Sequence, residues 1–194
     1  MKIPRVTQWL PIALTLFAGC AAPAPENPTL RPCGATNSAG SGNSFHYQDP
    51  ARGFSLCLPA GLKKTAGTGP DQPVTFSGLA VPKGTNLETK TLVIASGKND
   101  LVTGASAATS FKGGGLNFQR FIVEDGSAGH STMHVIYAGH ERGKDFYLDF
   151  THRAVNVLNF DPPNRPKEYN RAAQIKLTEE IMSTFRKAGL PPPK

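Results

Sequence analysis

Prolines fence off one part of this chain. The sequence holds 17 of them, yet none falls in residues 83–161, a stretch of 79 residues. Proline cannot donate to a β ladder and is largely excluded from central strands, so this stretch is where a sheet belongs. Segments 116–124, 131–139 and 144–152 have strand character within it. In the last, Phe146, Leu148 and Phe150 alternate with Tyr147, Asp149 and Thr151, the period of a half-buried strand. Asp125-Gly126 and residues 139–143 supply turn residues between the runs, which together read as an antiparallel meander. Residues 44–48, 53–58, 74–81 and 90–96 are further strand candidates. Residues 101–112 are Ala-rich with Gly113-Gly114-Gly115 as a stop, a pattern open to a short helix.

Beyond the window, Pro162, Pro163 and Pro166 precede a helix expected over 167–188, and Gly189 ends it. Ala173, Leu177, Ile181 and Phe185 give it an apolar stripe. The sequence therefore predicts an α+β domain over 45–188: an antiparallel β-sheet with a C-terminal helix packed on it. Residues 189–194 form a Pro-rich tail. At 194 residues there is room for one ordinary domain, and the composition excludes a coiled coil, a collagen-like chain and a polytopic membrane protein.

The first twenty residues read as an address. Lys2 and Arg5 precede an apolar run from Trp9 to Phe17 that ends in Ala18-Gly19-Cys20. This is the pattern of a secretory signal, and the run falls short of the roughly 20 residues needed to span a bilayer. Leu16-Phe17-Ala18-Gly19-Cys20 resembles the bacterial lipobox, departing from it at Phe17, where an aliphatic residue is usual. The resemblance implies a signal peptide over 1–19, cleavage before Cys20, lipidation (palmitate among the chains) of Cys20, and a bilayer as partner. Two or more acyl chains make a stable anchor. Ala21, in place of the aspartate that favours inner-membrane retention, implies an exported lipoprotein on the periplasmic face of the outer membrane of a two-membrane cell. Residues 20–44 are rich in Pro, Ala, Gly and Ser and read as a tether carrying the domain.

A second resemblance rests on the domain. An opening strand, the motif Gly53-Phe54-Ser55-Leu56-x-Leu58-Pro59, a later meander and a closing helix ending Ile181-Met182-Ser183-Thr184-Phe185-Arg186 look like the PsbP/Mog1-like fold. It implies a sandwich architecture and, from the tendency of that fold, a non-catalytic accessory subunit or binding module. No functional residue comes with it.

With Cys20 assigned to lipid, Cys33 and Cys57 remain as a pair in an oxidising compartment, and a disulfide between them is the expectation. Cys57 is out of phase with Phe54, Leu56 and Leu58, so it should face away from their side. Closing that roughly 25-residue loop is worth about 3.5 kcal/mol in the chain-entropy model.

Catalytic patterns are sparse. His130 and His134 have metal-ligand spacing only on a helix. On the strand expected here they stand about 13 Å apart, too far for one zinc. Asp145 and Asp149 share a strand face at the same separation, wider than a glycosidase pair, and read as surface aspartates. Gly104-Ala105-Ser106-Ala107-Ala108 is one residue short of a nucleophile elbow. An envelope serine hydrolase using Ser106 with His130, His134 or His152 is thus one alternative. A small-ligand or polyanion carrier is another. Gly97-Lys98-Asn99 lacks the rest of a Walker A, and Asn27-Pro28-Thr29 is blocked as a glycosylation site.

The formal charge of +7 falls to about +5 once Lys2 and Arg5 are gone, and no run of four basic residues exists. Export excludes nucleic acid, leaving weak contact with anionic lipid or glycan. The sequence reading is a membrane-anchored, non-catalytic accessory or binding module of the cell envelope. It has no cofactor, no metal and an envelope protein as partner.

Overall fold

A computed structural model describes residues 44–66, 71–103, 105, 108–127, 129–141 and 143–187. Ten strands and one α-helix come in the order β1 (Ser44–Asp49), β2 (Phe54–Pro59), β3 (Lys63–Ala66), β4 (Val74–Ser77), β5 (Leu87–Ser96), β6 (Thr109–Gly113), β7 (Leu116–Ser127), β8 (His130–Glu141), β9 (Lys144–Val155), α1 (Arg171–Ser183) and β10 (Arg186–Lys187). They build two antiparallel sheets. One has three strands in the order β1-β2-β10, the other seven in the order β3-β4-β5-β9-β8-β7-β6. This is the expected α+β class: antiparallel sheets with one C-terminal helix packed on them.

The long strands β5, β7, β8 and β9 all lie inside the proline-free window and form the middle of the large sheet. β9 shows why they pair as they do. Phe146, Leu148, Phe150, His152 and Ala154 are buried on one face, opposite Leu92 and Ile94 of β5 and Val135 and Tyr137 of β8. The three-stranded sheet and α1 cover that face. Phe54 of β2 stacks on Phe146 and on Phe185, just beyond the end of α1, with centroids 5.6 and 4.9 Å apart, and Phe118 meets Phe185 edge-on. One continuous apolar cluster results, and its burial is the main force joining the layers.

Four expectations about local structure are corrected. The triple glycine is a hairpin turn rather than a helix stop. Gly114 and Gly115 take φ +56° and +84°, the left-handed pair that a tight two-residue turn requires, and residues 109–113 form β6 instead of a helix. Asp125 and Gly126 stay in β7, paired with Thr132 and Ser131, and the turn falls beyond Ser127. Gly139 likewise stays in β8, paired with Phe146, where the rings of Phe118 and Phe146 occupy the space a Cβ would need. The 74–81 strand stops at Ser77, where Gly78 turns the chain at φ +90°.

The helix begins later than the prolines suggested. Residues 167–170 are held outside it: Thr85 bridges to Lys167, and the Tyr169 N–H donates to Asn86 Oδ1. Asn170 is the N-cap, its side chain accepting from the Ala173 N–H. At the other end the Thr184 N–H closes onto the Ile181 carbonyl, and Arg186 and Lys187 join β2 as a short edge strand.

Candidate functional site

The large sheet has two faces, and polar side chains concentrate differently on each. On the outer face, β8 and β9 place three histidines beside carboxylates. His134 Nδ1 lies 3.1 and 3.0 Å from the two carboxylate oxygens of Asp149. The Thr151 hydroxyl donates to Asp149 Oδ1 at 3.4 Å. His140 Nδ1 lies 2.7 Å from Asp145, and His130 Nε2 lies 3.5 Å from Glu88, which also meets Arg153 at 3.8 Å. Glu88 stands free for this because the β5–β9 register slips between Leu87 and Thr89.

Asp149 is not a surface aspartate as the sequence suggested: it is 6% exposed. It sits on β9 between Val93 of β5 and Ile136 of β8, and these neighbours shield it. A carboxylate oxygen accepts, so the Nδ1–H of His134 is the donor in this contact. A histidine oriented by a buried carboxylate is a geometry that catalytic bases share with structural ion pairs. Thr151 sits on the Nδ1 side and so supports Asp149 rather than facing Nε2. Burial, then the charges of Asp149 and Asp100, push the Tyr147 hydroxyl up.

The inner face holds a second polar group that sequence reasoning missed. Lys90 and His152 are directly paired across β5 and β9 and lie under α1 at 4% and 1% exposure. Lys90 Nζ donates to the Ala80 carbonyl and to Gln174 Oε1 of α1, both at 2.8 Å. Burial pushes Lys90 down to about 8. Burial first, and then the Lys90 charge, push His152 down to about 4. Its Nδ1–H donates to the Phe150 carbonyl. His152 is therefore neutral and enclosed, and it is no candidate base for chemistry at the surface.

Two further networks tie the layers together. Tyr137 donates to Thr178 Oγ1 at 2.9 Å, since the Thr178 proton is committed to the Ile175 carbonyl. Arg52 and Asp49, with side chains 6% and 4% exposed, form an ion pair at 2.8 Å. The same guanidinium reaches Ser96 Oγ and the Gln72 carbonyl, while Tyr47 donates to Asp49. One signal for these residues was in the sequence: Lys90 shares the phase of Leu92 and Ile94.

Of the predicted site residues, Cys20, Cys33 and Ser106 lie outside the described residues. Cys57 lies on β2, half-buried, out of phase with buried Phe54, Leu56 and Leu58, and its backbone N–H donates to Thr184 Oγ1. His130 and His134 do share one strand, each with its own carboxylate. Among the described residues no three His, Cys, Asp or Glu side chains come together as a metal-ligand set.

No protein-family model matches the chain, and no curated protein matches it. Among solved structures, one similar chain is a crystal structure from Bacteroides thetaiotaomicron VPI-5482. It is 16% identical with a TM-score of 0.48, over 78% of this chain and 52% of that one, so this chain spans about half its length. Another is the solution structure of cyanobacterial PsbP (CyanoP) from Synechocystis sp. PCC 6803. It is 15% identical with a TM-score of 0.46, over 80% of this chain and 98% of that one. The architecture of this chain rests on its own strand pairing.

Proposed function

We propose that this chain is a membrane-anchored bacterial lipoprotein whose α+β domain is a non-catalytic accessory or binding module of the cell envelope. One observation carries the reading. The apolar run ending Ala18-Gly19-Cys20 leads into a Pro/Ala/Gly/Ser segment, and the first strand opens at Ser44. A cysteine at the cleavage position, a spacer and then a folded unit is the layout of an acylated, tethered domain. The buried polar groups fit a binding module, because Asp49, Arg52, Lys90, Tyr137 and Gln174 are spent on holding the two layers together. Delivery to the outer membrane, through Ala21, belongs to the same proposal.

A bridge between Cys33 and Cys57 would pin the end of the tether to β2. The outward phase of Cys57 supports it. Replacing Cys20 by Ala tests the anchor. Acyl labelling should vanish and the protein should leave the membrane fraction. Membrane pelleting that persists without acylation contradicts the proposal.

A serine hydrolase is the second reading, favoured by the buried Asp149 that holds His134 with Nε2 free of that contact. A fluorophosphonate probe decides between the two. Labelling that is lost in Ser106→Ala overturns the non-catalytic reading.

A further inference from the structure

The most exposed large apolar side chain among the described residues is Leu158, at 71%, and Phe160 beside it is 36% exposed. Both stand on the segment that leaves β9, and that segment is built to hold them out. Asn156 caps a 3-10 turn over Val157–Asn159, its side chain accepting from the Leu158 N–H. The Asn156 N–H and the Asn159 side-chain amide both donate to the Gly129 carbonyl, at 2.9 and 3.1 Å. The Phe160 N–H closes onto the Val157 carbonyl, and the Arg165 guanidinium reaches the Phe160 carbonyl at 3.4 Å. An apolar side chain left in water forgoes the gain of burial, and these hydrogen bonds hold the backbone of the turn in place. Pro162, Pro163 and Pro166 stiffen the chain between this turn and α1.

We propose that this tip, Leu158 and Phe160 with Arg165 at its base, docks into the headgroup–acyl boundary of the bilayer that holds acylated Cys20. The inference rests on the lipoprotein reading and adds the orientation of the domain. The choice of a lipid surface as occupant comes from the chain outside the described domain. Residues 21–43 number 23, and a chain of that length spans about 26 Å as a flexible coil and more where its prolines extend it. The domain is then kept at high local concentration beside the membrane, so two apolar side chains and one cation suffice for docking. A preordered tip loses little entropy on insertion. Arg165 suits the phosphate layer, with its aliphatic stem along the apolar side and its guanidinium at the headgroups.

The topology supplies an internal control. β5 and β9 are antiparallel, with Ser96 opposite Phe146, so the turn holding Leu101 leaves the end of the sheet opposite to the one Leu158 leaves. Leu101 is 41% exposed but should face away from a docked membrane.

Trp9, the only tryptophan, lies in the signal segment and is lost on processing, so a new tryptophan reports alone. Leu158→Trp and Leu101→Trp proteins, acylated and reconstituted in phosphatidylethanolamine–phosphatidylglycerol vesicles, are compared with and without brominated lipid. Emission from the first should shift to the blue and lose at least half its intensity to the quencher, while the second is unchanged. Equal quenching of the two, or none at position 158, overturns the proposal. A second arm uses unacylated protein that begins at residue 21, where Leu158→Ser/Phe160→Ser should lower vesicle partitioning at least tenfold with unchanged circular dichroism. Unchanged partitioning overturns the tip. Failure of acylated-form protein to appear in vesicles at all overturns the lipoprotein reading instead, and the second arm still decides the tip.

Discussion

His152 offers a direct probe of the inner face. It lies 1% exposed beneath α1, directly opposite Lys90, and burial lowers it from the ordinary 6.5 to about 4. The sign comes from proton counting. Between pH 6.5 and 4 the unfolded chain holds a proton at this ring and the folded chain does not, so acid favours unfolding. Stability from the neutral ring is full above pH 6.5 and is lost as pH falls towards 4. At 1.36 kcal/mol per tenfold change in proton affinity, the full effect is about 3 kcal/mol, most of which accrues between pH 7.5 and 4.5. His152→Leu removes the titration and keeps an apolar side chain in the layer. Urea unfolding monitored by circular dichroism at pH 7.5, 6, 5 and 4.5 gives each protein a slope, which cancels the carboxylates common to both. The wild type should lose about 2 kcal/mol more than the variant over that range. Parallel curves would refute the burial of this ring under α1.

Other consequences can be checked by the same unfolding assay. Gly114→Ala should cost roughly 2–4 kcal/mol, because the new Cβ would fall 2.0 Å from the Phe185 carbonyl oxygen at φ +56°. Gly143→Ala, at φ +75° with nothing within 4 Å, should cost only about 1 kcal/mol. Removing Asp49 alone should cost about 3–5 kcal/mol by stranding buried Arg52, and Asp49→Ala/Arg52→Met should cost less than the two single changes added. Lys90, lowered from 10.5 to about 8, keeps fewer protons when folded, so stability should rise by roughly 2 kcal/mol from pH 7 to 9.5. Lys90→Met should flatten that rise.

What the sequence disclosed is what period and proline report. The alternation in β9, the phase of Cys57 in β2 and the strand placement of His130 and His134 all come from a two-residue repeat. β3, with sequence Lys-Lys-Thr-Ala, carries no apolar pattern and is a strand only because β4 offers it a ladder. The four-residue spacing of Ala173, Leu177, Ile181 and Phe185 drifts against the 3.6-residue turn. The buried face accordingly swings to Gln174, Leu177, Thr178, Ile181 and Met182. Burial of Asp149 could not be read locally, since it depends on β5, distant in sequence, flanking β9 on the side away from its hairpin partner β8.

The central claim is that the mature chain begins at Cys20 and is held to a membrane by lipid there. Mass spectrometry of the protein extracted from membranes tests it most directly. The account predicts an N-terminal peptide starting at Cys20 that carries diacylglycerol on the thiol and a further acyl chain on the amino group. An unmodified terminus at Ala22 or Ala24, or an intact residue 1–19 segment, would contradict it.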